Sequence, residues 1–148
     1  YDNPLALIML DLDDLKHIND NFGHSVGDET LNVLADTLHC TKRDADFAAR
    51  SGGDEFVAAL PQTNGEEARV LGERIRQACE ECHRPSECPE WTASFGVAQF
   101  KKDDEIDDLQ RRADKALYES KKHGKNSVTL WSEVGGDDDV DEGVCDGP

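Results

Sequence analysis

The sequence predicts a layered α+β domain with helices over a mainly antiparallel sheet. Short apolar runs and segments of helical period follow one another in the order β-α-α-β-β-α-β-α-β, and the two central strands are joined directly by a glycine-containing turn. A chain of 148 residues with 36% apolar content is one domain's worth and large enough for a single real core.

Leu5–Asp11 is the first strand, nearly all apolar and therefore central. A short helix spans about Asp14 to Asn21 and stops at Gly23, and a longer one runs from about Gly27 to Cys40, with Leu31, Val33, Leu34 and Leu38 broadly on one side. The hairpin occupies about residues 45–61, its first strand Ala45 to Ala49 and its second Phe56 to Leu60, closed by Pro61. Gly65 to His83 reads as a helix, with Ala68, Leu71, Ile75 and Cys79 inward. Pro85 and Pro89 break the chain before a strand from Trp91 to Phe100. Asp107 to Lys122 is the last helix, with Leu109, Ala113, Ala116 and Leu117 inward and Gly124 as its stop. Asn126–Trp131 is the last strand. No internal repeat is visible. Residues 132–148 are Gly- and Asp-rich with almost nothing apolar, which predicts a disordered acidic tail, and Gly135-Gly136-Asp137 within it lacks a flanking strand.

The formal charge is −17, and seven of the acids lie in residues 132–148, which carry no Lys or Arg, leaving −10 on the rest. Such a surface repels nucleic-acid polymers and anionic membranes, so a nucleotide would bind only through local lysines and divalent ions. The longest apolar run, Leu5 to Leu10, is too short to cross a bilayer, and no signal peptide is expected at the start; the fragment reads as soluble and cytoplasmic. Five cysteines, an odd count in a well-cored domain, suit a reducing compartment. Cys79-Glu80-Glu81-Cys82-His83 has the spacing of a c-type haem attachment, and Cys88 could complete a zinc set. Both ideas yield to the helical pattern these residues close, in which Cys79 takes a core position.

Chemistry concentrates at Arg50-Ser51-Gly52-Gly53-Asp54-Glu55-Phe56. Two glycines between strands allow positive φ and a close backbone approach to a ligand. Two carboxylates follow, and hard cations want carboxylate oxygens, so a metal-assisted phosphate site fits. Adjacent strand residues point to opposite faces, so Asp54 and Glu55 share a ligand only if the turn re-aims them. Taken alone, the stretch also reads as an ordinary polar hairpin. Asp11 ends the first strand and is followed by Leu12-Asp13-Asp14-Leu15-Lys16-His17-Ile18-Asn19-Asp20, then Phe22-Gly23-His24-Ser25-Val26-Gly27-Asp28. Asp13 and Asp14 read as exposed acids.

With these blocks in order, and with Ser94-Phe95-Gly96-Val97-Ala98 and Ala113 to Asn126 after them, the chain resembles the GGDEF family of diguanylate cyclases over about residues 5–131. The resemblance implies a five-stranded sheet like the palm of polymerases and adenylyl cyclases. It also implies condensation of two GTP into cyclic di-GMP, a bacterial second messenger, by a homodimer under an upstream sensory or receiver domain. Asp11, the Leu12 carbonyl, Asp54 and Glu55 would hold magnesium or manganese, two ions per active half-site, with Asp54 the usual general base and Glu55 beside it in the catalytic pair. Gly52 and Gly53 would approach the GTP phosphates. Asn19 and Asp28 resemble the guanine-reading pair, because an amide and a carboxylate match the acceptor and donor edge of guanine. Lys16, Lys121 and Lys125 match phosphate-contacting positions; the family commonly has Arg at the last, so Lys125 keeps the charge and loses the fork.

Arg43-Asp44-Ala45-Asp46, with Arg43 nine positions before Gly52, resembles the family's inhibitory product site, and Arg74 matches the arginine that completes it. An Arg-x-x-Asp pair is also a common surface ion pair. The family usually carries a further segment with an Asp-x-Leu-Thr-Gly-Leu-x-Asn-Arg-Arg signature ahead of this point, and the sequence starts at Tyr1 without it. The competing expectation is a catalytically inactive receptor for GTP or cyclic di-GMP. Such members typically lose the glycines or acids of the central motif, and here Gly52, Gly53, Asp54, Glu55 and Asp11 are all present.

Overall fold

A computed structural model of the chain describes residues 3–82 and 90–134. His83, Cys88 and Cys145, the proline break at Pro85 and Pro89, and the acidic tail with Gly135-Gly136-Asp137 lie outside the described residues. Nine principal elements follow in the predicted order: β1 (Leu5–Leu12), α1 (Leu15–Phe22), α2 (His24–Thr41), β2 (Phe47–Arg50), β3 (Glu55–Pro61), α3 (Gly65–Glu81), β4 (Ala93–Gln99), α4 (Ile106–Lys122) and β5 (Val128–Leu130). The five strands form one sheet in the order β2-β3-β1-β4-β5. Every pairing is antiparallel except β4–β5, which α4 connects as a parallel crossover. Among the described residues no helix is long and apolar enough to cross a membrane.

Strand alternation sorts the core. Ala6, Ile8, Leu10 and Leu12 of β1 face α1, α2 and α3, packing with Ile18, Leu34, Leu38, Leu71 and Ile75. Leu7 and Met9 face the other way, onto Leu109, Ala113 and Leu117 of α4. α4 sits unusually close to the sheet because Gly96 has no side chain. A Cβ there would lie 2.2 Å from both the Ala113 carbonyl oxygen and the Leu117 nitrogen. Ser120 Oγ fastens the same helix by donating to the Phe95 carbonyl at 2.8 Å.

Several boundaries differ from the sequence expectation. α2 begins at His24, three residues early, because Gly23 at φ 95° turns the chain between two helices in one step. β2 runs Phe47–Arg50 rather than from Ala45, since Asp46 is drawn into a turn, its amide donating to the Arg43 carbonyl at 3.0 Å. β5 is shorter than Asn126–Trp131. Lys125 and Asn126 take left-handed conformations (φ 65° and 49°), and Trp131–Glu133 forms a 3₁₀ turn. α3 starts as its sequence suggests: the Asn64 side chain accepts from the Glu67 amide, and Glu67 returns the bond to the Asn64 amide, each at 2.9 Å.

Candidate active site

Two acids meet because two strands pair. In the antiparallel ladder Asp11 of β1 stands across from Glu55 of β3, and on its other flank across from Ser94 of β4. Directly opposed residues share a face, and the alternation of β1 puts Asp11 on the α4 side. There Lys121 of α4 brings its Nζ to 3.4 Å from Asp11 and 3.3 Å from Asp13. Asp54 precedes the ladder, and its carbonyl accepts from the Leu12 amide at 3.4 Å.

The electrostatics are those of crowded carboxylates. Burial pushes the Asp11 carboxyl up to about 7, Asp54 and Glu55 add to the rise, and Lys121 only partly offsets it. Glu55 is also raised, by burial first and then by Asp114 of α4. Asp114 itself is raised by burial. One Asp11 oxygen is buried with no well-formed hydrogen bond; the 3.4 Å to Lys121 is long for one. A hard divalent cation fits such a set, since it would supply the positive charge that several half-buried carboxylates lack. Among the described residues no three His, Cys, Asp or Glu side chains converge to wrap an ion unaided. A magnesium-like ion needs few protein ligands when phosphate oxygens and water complete its shell.

The glycine turn corrects one expectation. Neither Gly52 nor Gly53 has positive φ. The loop is instead held from within: Ser51 and Gly52 amides donate to the Glu55 carbonyl at 2.8 and 3.3 Å, and Arg50 donates Nε to the Gly52 and Gly53 carbonyls at 3.2 and 3.0 Å. The nearest atom to a Cβ on Gly52 would be 3.9 Å away, and a Cβ on Gly53 would meet nothing within 4 Å. The fold therefore has no steric need for these glycines, and the space above their backbone is open.

On the opposite face of the sheet, Asn19 of α1 lies against Gly27 of α2. A Cβ on Gly27 would stand 1.9 Å from Asn19 Oδ1, so that glycine exists to admit the amide. Asn19 Oδ1 is buried without a hydrogen-bond partner, and Asp28, the next residue after Gly27, is exposed. Lys16 is exposed and pairs with Asp20 at 3.1 Å. Lys125 reaches back to Asp14 at 2.7 Å.

Asp13 overturns a second expectation. It is not an exposed acid but 3% exposed, because β1 ends beside β4 and its side chain finds donors there. Thr92 Oγ1 and Ser94 Oγ each donate to it at 2.7 Å. Asp14 is exposed as expected. Sequence reasoning also passed over Arg50, whose role depends on loop carbonyls, and Asp114. The signal for Asp114 was available, since it precedes Lys121 by seven positions and so shares its helix face.

Arg43 and Asp46 are brought together. The guanidinium forks onto the carboxylate at 3.0 and 2.7 Å and also donates to Thr63 Oγ1 at 2.5 Å. Thr63 follows β3, so this cluster lies at the end of β3 away from Glu55, roughly 20 Å off by strand rise. Burial opposes the Asp46 charge, but its bonds to Arg43 outweigh that and hold the carboxyl below its usual range. Arg74 is exposed on α3.

Comparison with known proteins accords with this geometry. Residues 1–127 match the family described as diguanylate cyclase, GGDEF domain. The chain is 44% identical over 123 residues to diguanylate cyclase DgcM of Escherichia coli K12, a match covering 83% of this chain and 30% of that protein. The chain thus spans about a third of the length of such relatives. Among solved structures, the active GGEEF domain of a diguanylate cyclase from Vibrio cholerae superposes with a TM-score of 0.82 at 38% identity, covering 87% of this chain and 83% of that one. The GGDEF domain of DgcB from Caulobacter crescentus, in complex with c-di-GMP, gives 0.83 at 32% identity, covering 88% and 79%.

Proposed function

The chain belongs to the diguanylate cyclase, GGDEF domain family, and from that premise we propose that it condenses two GTP into cyclic di-GMP. The observation that carries the proposal is the Asp11–Glu55 pairing under Lys121, with Asp54 at the hairpin tip and open space over Gly52 and Gly53. The reaction needs each α-phosphate held, its charge offset and a 3′-hydroxyl deprotonated in line with it.

Each part of the chain has a share in that. Asn19 and Asp28 bind guanine, and the unpartnered Asn19 Oδ1 is an acceptor awaiting a donor. The Gly52-Gly53 backbone, Lys16, Lys121 and Lys125 receive the phosphates. Asp54 accepts the 3′-hydroxyl proton, with Glu55 beside it. Asp11, the Leu12 carbonyl, Asp54 and Glu55 would hold magnesium or manganese, two ions per half-site, whose chemistry when bound is to neutralise developing phosphate charge. One chain carries one such site, so two copies meet across a two-fold axis, each presenting one GTP. Product returns to Arg43, Asp46 and Arg74 as an inhibitor, a reading supported by the DgcB domain being known with c-di-GMP. The cytoplasm, where GTP is available, is the compartment this activity requires, and an upstream sensory or receiver domain would set its output.

The test is GTP turnover with magnesium on nucleotide-stripped protein, products being separated by chromatography. Cyclic di-GMP rising faster than linearly with protein, and lost in Asp54→Asn, is the expected result. Tight GTP or cyclic di-GMP binding with no product would favour the receptor reading instead.

A further inference from the structure

Four donors from three different elements converge on one buried carboxylate. Asp13 receives Thr92 Oγ1 and Ser94 Oγ at 2.7 Å and the Asn126 backbone amide at 3.1 Å, while Lys121 Nζ stands at 3.3 Å. The Asn126 amide is shared with Ser94 Oγ, also at 3.1 Å. That amide belongs to the left-handed Lys125–Asn126 turn, which is pinned again from outside. Arg76 donates to Asn126 Oδ1 at 3.1 Å, and Asn126 Nδ2 donates to Glu80 at 2.7 Å. Asp13 thus touches one lysine directly and the backbone carrying the other. Its neighbour Asp14 pairs with that other lysine, Lys125, at 2.7 Å.

We propose that Asp13 is a positioning residue for the phosphate-facing lysines, setting Lys121 through its carboxylate and Lys125 through the turn it anchors. This rests on the reading of Lys121 and Lys125 as phosphate contacts. Lysine is a point charge on a flexible stem, so two ammoniums meet one triphosphate well only if something fixes where they start. Lys121 is shared almost evenly between Asp11 and Asp13. Without Asp13 the ammonium closes onto Asp11, which fills the place a cation or phosphate would take. The other three donors, Thr92, Ser94 and the Asn126 amide, hold Asp13 itself still, so it acts as a fixed anchor.

The experiment uses the full chain with magnesium and two probes, GTP and guanosine, in the wild type, Asp13→Asn and Thr92→Val. Guanosine reports the base pocket alone, and GTP reports the pocket plus the lysines. GTP affinity is expected to fall about tenfold in Asp13→Asn and about threefold in Thr92→Val, with guanosine affinity unchanged in both. Equal losses for the two probes would mean a general structural role, and no loss for either would mean no role; each overturns the proposal, as would a wild type that binds both probes alike. Should Asp13→Asn not fold, Thr92→Val decides. A wild type that binds GTP but forms no cyclic product would count against the cyclase reading and leave this test intact.

Discussion

Asp11 of β1 and Glu55 of β3 are directly opposed in an antiparallel ladder, so the pairing of two strands forces two carboxylates onto one face. Like charges opposed in this way cost stability, and Lys121 compensates for only part of it. Asp11→Asn is therefore expected to raise the melting temperature of the metal-free protein by a few degrees, about 1 kcal/mol, while abolishing turnover. Thermal unfolding in chelator, beside an activity assay, checks both halves. A variant that is less stable than wild type would show that Asp11 serves the fold.

The same group predicts a pH dependence. The Asp11 carboxyl is raised in the folded state to about 7 from an ordinary 3.8. Between those values the folded state binds more protons than the unfolded one, so stability falls as pH rises. Glu55 and Asp114 are raised too and push the same way. Metal-free protein should lose melting temperature from about pH 5 to about pH 7.5, and Asp11→Asn should flatten that slope. Magnesium should restore more stability at the upper end, where it no longer competes with a proton. Parallel slopes in the two proteins would contradict the assignment.

Three glycines differ in what a side chain there would meet. Gly96→Ala drives a Cβ into the backbone of α4, which no side-chain motion relieves, and should cost about 3 kcal/mol or more. Gly27→Ala displaces Asn19 from its seat and should weaken guanine binding along with stability. Gly53→Ala meets nothing and carries no positive φ, so its melting temperature should stay unchanged while turnover drops at least about tenfold. Full activity in Gly53→Ala would remove the argument that a ligand needs that open backbone.

The contrast among these glycines also marks what sequence could and could not reveal. The strands and helices were legible because apolar spacing follows the core on both faces of β1. The Asp11–Glu55 pairing needed strand order, which periodicity does not contain; only the resemblance of the motifs supplied it. The burial of Asp13 is hidden in the sequence because two consecutive acids after a strand look solvated. Its burial depends on Thr92 and Ser94, about eighty positions away in the chain. Gly52 and Gly53 were expected to bend the chain, whereas Arg50 and the Glu55 carbonyl already do so.

Arg43 poses a problem for any test of product inhibition, because its guanidinium is already bonded to Asp46 and Thr63 and so holds the fold. Its partner Asp46 has a side chain with no exposure, so Arg43→Ala leaves a buried carboxylate without its fork. The expected cost is about 1–3 kcal/mol. The sign of the pH effect follows from Asp46, whose carboxyl is held low in the folded protein. Its contribution is present above the ordinary carboxylate range and lost as pH falls through the folded value, and in Arg43→Ala it should be missing already at neutral pH. Arg74 is exposed on α3, and its loss should leave melting temperature within about a degree of wild type. Relief of inhibition by cyclic di-GMP in Arg74→Ala, at wild-type stability and basal rate, is thus the cleaner outcome. Inhibition that persists there while vanishing in Arg43→Ala would assign the effect to the damaged Arg43–Asp46 turn, not to a product site spanning α3.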